Sequence, residues 1–319
     1  MDNFLITLGT VLLMFAYALP GFLIVKTKLI SENSISAFAV VLMYVCQPCL
    51  TIYSFDQADF TPDLLIKMLI FFAIVFVSMI IFLVVFYFIF KNKFDNIMNR
   101  LYIICTCFGN VAFFGNPLME AILPDNNNIY IFSTMFFIAM NIIGWTVGCY
   151  LITQDKKHIS PKKIFLNPAV LSLVVAVPLF LCKVHLVDIG GVGSTLGNKI
   201  STYVTLLAKM TTPICMLIMG MRLATVDFKS MFTNLNHYPI IFVKHVIFPF
   251  FVLLIVYFLP IESYIKQILF ILAACPCAVI VQTFAEMLNQ GQKESVQMVL
   301  LSTMISVITL PLLMLIPLF

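Results

Sequence analysis

Residues 105–119 read CTCFGNVAFFGNPLM, and this stretch decides the fold of the chain. It holds two glycines, two asparagines and a proline inside a segment that is otherwise apolar enough to lie in a membrane. Non-helical backbone is costly in lipid, so it is tolerated only where it faces other protein or lines a cavity. A second break, AACPCA at 273–278, follows 159 residues later, counted from Pro117 to Pro276.

The composition indicates a membrane protein with many spans. The 319 residues are 62% hydrophobic and only 10% charged, whereas soluble domains carry about 25% charged residues. The net charge of +4 is too small to indicate a nucleic-acid partner. No cleavage motif follows the first apolar segment, so we expect that segment to be retained. We expect the nine cysteines to be mainly small packing residues.

Ten apolar runs are long enough to cross a hydrocarbon core of about 30 Å. They lie at 4–25, 34–54, 64–90, 101–123, 129–152, 164–182, 198–221, 238–259, 265–288 and 296–318. Lys and Arg concentrate in cytoplasmic loops. With the N-terminus outside, twelve of the 18 Lys and Arg residues fall on the inner side and four on the outer side. We therefore expect a multi-pass protein of the plasma or inner membrane with both termini extracytoplasmic.

The chain divides into two similar halves. The loop QDKKHISPKK at 154–163, predicted to be cytoplasmic, separates a first repeat, 1–153, from a second, 164–319. The segment 35–48 begins with Ile-Ser and ends in Pro, and 200–213 does the same at an offset of 165 residues. Five spans in each half are an odd number, so the second copy enters the membrane inverted. Interrupted helices in corresponding positions of two such halves are typical of secondary transporters.

Each proline is predicted to divide its helix into two half-helices. Pro117 lacks an N–H group and collides with the carbonyl four residues earlier, and proline suits the first position of a new helix. A simple proline kink, packed against its neighbours, is the alternative at both breaks. If the helices do break, the second halves begin with free N–H groups, namely those of Leu118, Met119, Cys277 and Ala278.

Two positive helix ends meeting at mid-membrane would form a site for a carboxylate. Asn110 could donate its amide to such an anion without a charge of its own, although an interhelical hydrogen bond is the common use of Asn in membranes. The other candidates for substrate contact are Asn116, Pro117, Leu118, Cys275, Pro276, Cys277, Gln47 and Gln282.

Charged residues inside spans are candidates for a functional role. Glu120 lies three residues after Pro117 and could either couple transport to protons or complement the helix dipole. Lys209 could attract an anionic substrate or fill the position of a coupling cation. Lys244 could act in the membrane or extend to the inner surface. Proton coupling, Na⁺ coupling and uniport all stay open at this point.

The residues around the breaks resemble those of the auxin efflux carrier family, which includes plant PIN proteins and bacterial malate and malonate permeases. In span four that family places Asn seven residues before a crossover Pro, as Asn110 and Pro117 stand here. In span nine it has Ala-x-Pro, here AlaCysPro at 274–276. Span eight carries a basic residue five before a Pro, as Lys244 and Pro249 do.

This resemblance implies an all-α membrane protein of ten transmembrane helices, arranged as two inverted five-helix repeats with crossed broken helices 4 and 9. Bile-acid sodium symporters and NhaA-like antiporters have such a fold. The resemblance also implies a scaffold of helices 1, 2, 6 and 7 that forms a homodimer. Helices 3–5 and 8–10 would form a transport domain that moves like an elevator and binds a carboxylate beside Asn110.

Two departures bear on the substrate. Cysteines flank the second proline where plant members have Leu and Gln, and the long cytoplasmic loop of many plant PIN proteins is absent. A small mono- or dicarboxylate, such as malate or malonate, is therefore expected in preference to an auxin-like acid.

Other functions fit parts of the sequence less well. CysProCys at 275–277 resembles the motif of metal-translocating pumps, in which thiolates bind soft ions. No Gly-rich phosphate loop is present, so only an ATP-independent carrier of soft metal ions survives from that class. A non-transporting membrane sensor is the other alternative. An enzyme is not expected, because no Ser/His, paired-Asp or His-x-x-x-His set occurs, and we expect no cofactor.

Overall fold

In a computed structural model, residues 2–155, 157, 168–191 and 193–316 are described, and they form helices joined by short connections. Within these ranges no β-strand is found, and one isolated pair of residues bridges in β fashion. Seven helices there have the length and composition needed to cross a membrane. They are Asn3–Lys26, Glu32–Asp56, Pro62–Lys93, Ile129–Thr153, Thr195–Thr225, His237–Tyr257 and Gln292–Leu313. The prediction of an all-helical chain with many apolar spans is confirmed for the described part.

The fourth and ninth predicted spans are each interrupted. We call them the first and second crossing helices. The first consists of Ile97–Cys105 and Val111–Ile122, and the second of Ser263–Ala274 and Val279–Met287. Because each is interrupted, neither is among the seven continuous membrane-length helices.

The sixth predicted span begins outside the described residues and continues as two short helices, Pro168–Leu171 and Leu173–Leu181. Most of the predicted loop at 154–163 also lies outside the described residues. The ten-helix inverted repeat therefore stays a prediction. Two short helical segments lie between spans, Leu186–Asp188 and Phe228–Thr233.

Three π-helical turns of the described chain end two residues before a proline. These are Leu42–Cys46 before Pro48, Val111–Gly115 before Pro117 and Val243–Ile247 before Pro249. A proline has no N–H to donate and collides with the carbonyl of the preceding turn. Widening that turn relieves the collision without ending the helix. The prediction that Pro117 breaks its helix is therefore wrong: it lies inside Val111–Ile122, and the interruption comes earlier.

The first span packs against Thr195–Thr225 through two glycines. A Cβ atom added at Gly220 would collide with the carbonyl oxygen of Ala18, and one added at Gly21 would collide with that of Leu217. Such close backbone approach is a common way for helices to associate in a membrane, where van der Waals packing replaces the hydrophobic effect. These two spans therefore form a contact that tolerates no side chain at either glycine.

A histidine joins the end of the second span to the connection after the sixth. Nδ1 of His185 lies 2.8 Å from the backbone oxygen of Asp56, and Nε2 lies 3.1 Å from Oδ1 of Asp59. The N–H of Leu186 donates to Asp56 at 2.7 Å. Desolvation lowers the pKa of His185, but the two aspartates outweigh this effect and raise the pKa above its ordinary 6.5.

We expect this cluster to favour the folded state at mildly acidic pH. Because the pKa of His185 is higher in the folded protein, its stabilisation is complete below the unfolded pKa of about 6.5 and is lost as pH rises through the folded value. The thermal midpoint should fall between pH 6 and pH 8 by about 1–2 °C more in the wild type than in His185→Gln, since the ring is partly exposed. Lys199→Gln is a surface control. Superimposable pH profiles for wild type and His185→Gln would exclude the effect.

Candidate functional site at the crossing of two interrupted helices

The two interruptions meet and satisfy each other's backbone groups. The N–H of Asn110 donates to the carbonyl of Pro276 at 2.8 Å. The N–H of Ala278 donates to the carbonyl of Phe108 at 3.1 Å. Non-helical backbone at membrane depth needs partners of this kind, because lipid supplies none. The crossing of the two helices, implied by the resemblance, is thus held by hydrogen bonds between segments far apart in sequence.

The second interruption lies where the sequence predicts it. Cys275 and Ala278, on either side of Pro276, have extended backbone with ψ of 147° and 135°. The first interruption centres on Gly109, which stands opposite Cys277 in an antiparallel bridge. A Cβ at Gly109 would lie only 3.1 Å from the carbonyl oxygen of Leu272. Glycine therefore permits the two chains to approach this closely.

The amides predicted to be free are not available for a ligand. The N–H of Cys277 donates to Oγ of Ser302 at 2.9 Å, and that of Ala278 is used in the crossing. Leu118 and Met119 lie within Val111–Ile122, because the π-helical turn carries the helix through Pro117. The half-helix begins at Val111 instead, so its positive end is directed at the crossing from there.

Two buried side chains near this point have polar atoms with no partner among the described residues. They are Nδ2 of Asn110 and Oδ1 of Asn116, whose side chains are 3% and 4% exposed. Leaving a buried polar group unsatisfied costs about 1–3 kcal/mol. Such a group calls for an explanation, and pairing with a ligand is one. Asn110 and Asn116 are thus chemically suited to bind a polar molecule.

A cavity of about 530 Å³ lies beside the half-helix Val111–Ile122. Four predicted residues line it: Asn116, Pro117, Glu120 and Lys209. Its walls come from the first span, the second span, Thr195–Thr225, the first crossing helix and Tyr130 of Ile129–Thr153. Its volume is within the range of about 300–1,000 Å³ that is typical of small-molecule sites. By the predicted topology it lies in the outer half of the membrane.

Tyrosines that the sequence analysis did not single out shape this cavity. The hydroxyl of Tyr130 donates to the carboxylate of Glu120. The rings of Tyr130 and Tyr53 pack edge to face with centroids 5.1 Å apart. Tyr17 also lines the cavity. These residues sit on otherwise apolar helices with no local motif, so only the fold shows that they share a site.

The remaining predicted residues lie elsewhere. The thiols of Cys275 and Cys277 are buried at the crossing and donate to the carbonyls of Ile271 and Cys105 at 3.4 and 3.5 Å. Asn110 and Pro276 lie at the crossing and do not line the cavity, and neither do Leu118, Gln47 and Gln282.

Gln282 belongs to a separate polar group. Its Nε2 donates to Glu286 at 3.1 Å, and Arg222 forms an ion pair with the same carboxylate. Gln282, predicted to contact substrate, therefore lies against this ion pair.

A metal site is not favoured by the described residues, since no group of three or more His, Cys, Asp or Glu side chains there could hold an ion. None of the cysteines forms a disulfide bond in the described chain.

Helices of membrane length, two interrupted helices that bond each other at their crossing, and a cavity beside them are features expected of a multi-pass membrane transport protein. A family model described as "Membrane transport protein" matches residues 6–163 and 157–314. The chain therefore belongs to this auxin efflux carrier type of membrane transport family, and the resemblance drawn from its residues is confirmed. It is a family of transporters and not of enzymes. A comparison with curated proteins gave no match.

Proposed function

We propose that the protein is a secondary transporter of small organic anions, carboxylates such as malate or malonate, that works by elevator-type alternating access. The observation that carries the proposal is the unpartnered amide of Asn110 at the crossing of two interrupted helices. A carboxylate could accept from this donor while the adjacent half-helix presents its positive end.

The charges of the cavity support an anionic substrate. Lys209 is exposed within it, whereas the carboxylate of Glu120 is engaged by Tyr130. An entering carboxylate would therefore face a lysine that is accessible and an acid that already has a donor. Leu13, Met14 and other apolar residues of the wall could cover the carbon skeleton of the substrate.

The distribution of contacts supports alternating access. On the predicted inner side, Arg222 of Thr195–Thr225 pairs with Glu286 of the second crossing helix. On the predicted outer side, the cavity separates the same groups of helices. We interpret this arrangement as one end state, closed inside and open outside. In the proposal, helices 1, 2, 6 and 7 form the scaffold of a homodimer, and the others move with the substrate.

Uptake into proteoliposomes tests the function. Labelled malate, malonate, lactate and indole-3-acetate are offered to vesicles with purified protein, with and without a pH gradient. We expect saturable uptake of at least one carboxylate, above that of protein-free vesicles. If none of the four is taken up or exchanged, the organic-anion proposal fails.

Replacing Glu120 tests proton coupling. Any response of uptake to a pH gradient should be absent in Glu120→Gln, because Glu120 is the acid exposed in the cavity and its neutral form would be permanent in the variant. Asp125→Asn, in the neighbouring outer pocket, is the matched control and should respond like the wild type. A gradient response that survives in Glu120→Gln assigns the proton role to another residue.

A further inference from the structure

Lys244 lies at the crossing and not at the membrane surface. Its side chain is completely buried, and its ammonium group donates to the carbonyl oxygen of Ala273 at 2.5 Å. It lies 5.1 Å from the ring centre of Phe248. A Cβ at Gly109, in the other interruption, would be 3.3 Å from the same nitrogen. The ammonium thus sits between the two unwound segments, and the expectation that it might extend to the inner surface is wrong.

Two helix C-termini lie beside Lys244. The first halves of both crossing helices, Ile97–Cys105 and Ser263–Ala274, end at this level. A helix C-terminus has unpaired carbonyls and about half a negative charge. In carriers with interrupted helices, such ends coordinate the coupling cation. No Asp or Glu of the described ranges forms an ion pair with Lys244, and the observed acceptor of its ammonium is the carbonyl of Ala273 at the end of Ser263–Ala274.

The neighbouring histidine is arranged as an uncharged group. Oγ of Ser302 accepts from the N–H of Cys277, and its hydroxyl lies 2.8 Å from Nε2 of His245. Nδ1 of His245 lies 2.7 Å from Oγ1 of Thr309. We assign the proton of the His245 ring to Nδ1. Ser302 then donates to Nε2, and every group in this series of hydrogen bonds has a partner. Lys244 then supplies the positive charge here.

We propose that Lys244 is a built-in cation that takes the place of a coupling metal ion at the crossing, so that the protein works without Na⁺. The proposal deepens the proposed transport function and rests on it. The sequence left open that Lys209 fills the position of a coupling cation. Because Lys209 faces the cavity, the proposal assigns this role to Lys244 instead. Proton coupling through Glu120 is compatible with it.

Thermal unfolding of the detergent-solubilised protein in NaCl and in choline chloride tests the proposal without any substrate. We expect equal midpoints for the wild type in the two salts. Lys244→Ser exposes the carbonyls and leaves room for an ion, so NaCl should raise its midpoint by about 2–4 °C over choline chloride. Lys244→Met fills the same space with an apolar chain and should show no sodium response. Lys209→Ser is the control for loss of a lysine charge and should also show none.

Measurements of carboxylate uptake are the second test of the proposal. Wild-type uptake of the four labelled carboxylates should be the same with Na⁺ or choline outside, whereas that of Lys244→Ser should be at least about tenfold lower in choline and partly restored by Na⁺. Stabilisation of the wild type by NaCl, or sodium-dependent wild-type uptake, would overturn the proposal. So would a Lys244→Ser protein with full uptake and no sodium response.

If Lys244→Ser does not fold, Lys244→Arg keeps a cation at the site and the wild-type comparison of the two salts still decides. If none of the carboxylates is transported, the function fails but the thermal measurements still report on Lys244.

Discussion

Replacing Asn110 by Ala is expected to lower carboxylate uptake about tenfold or more while folding and membrane insertion stay intact. A tenfold loss corresponds to about 1.4 kcal/mol, close to the lower limit for one hydrogen bond to a charged group, which is about 1.5–3 kcal/mol. The backbone N–H of Asn110, which holds the crossing through Pro276, is retained in the variant. The substitution therefore removes the amide alone.

The stability of Asn110→Ala separates a binding role from a structural one. Nδ2 has no partner in the described structure, so its removal breaks no donor contact and relieves an unsatisfied buried group. We expect the thermal midpoint of the empty protein to stay equal or rise. An interhelical hydrogen bond, the alternative that the sequence left open, predicts a loss of about 1 kcal/mol instead. A gain in stability with a loss of activity is a common signature of functional polar groups.

The measurement is uptake per inserted protein, with Asn99→Ala as the matched control. Nδ2 of Asn99 donates to the carbonyl of Lys93 at 2.9 Å in the first turn of Ile97–Cys105, at the end of that helix far from the crossing. That variant should transport like the wild type. Near-normal uptake by Asn110→Ala would remove this residue from the substrate site.

The second large effect is expected at the contact between the first span and Thr195–Thr225. In Gly220→Ala the new methyl group would fall on the backbone of Ala18, which cannot rotate away as a side chain could. The two spans would have to separate and lose dispersion contacts along their length. We expect a loss of about 3 kcal/mol of unfolding free energy, as for an overpacked core.

Gly9→Ala is the control for this substitution. Gly9 lies in the same first span, and no atom would come within 4 Å of an added Cβ. Alanine is the better helix former by about 1 kcal/mol, so this variant should be equally or more stable. Thermal unfolding of the three proteins in one detergent makes the comparison. Equal midpoints for Gly220→Ala and Gly9→Ala would show that the spans accommodate the methyl group.

The two prolines at the predicted breaks have different effects on their helices. At Pro276 the helix is interrupted, as predicted, with ψ of 147° at Cys275 and 135° at Ala278. At Pro117 the missing N–H is absorbed by a π-helical turn, so the helix continues. The interruption lies at Gly109 instead, opposite Cys277, and its neighbours Phe108 and Asn110 bond the second interruption. Proline identity alone does not distinguish these two outcomes.

The sequence by itself determined that this is a multi-pass membrane transport protein of the auxin efflux carrier type, with polar breaks around 105–119 and 273–278. These features can be read from sequence because the bilayer constrains each segment separately: a span must be long and apolar enough to cross, and its backbone groups must be paired. The tertiary structure alone decided which amides are consumed at the crossing, which residues share the cavity and where Lys244 points. Those outcomes depend on partners from about 25 to 170 residues away along the chain, whose positions no local pattern records.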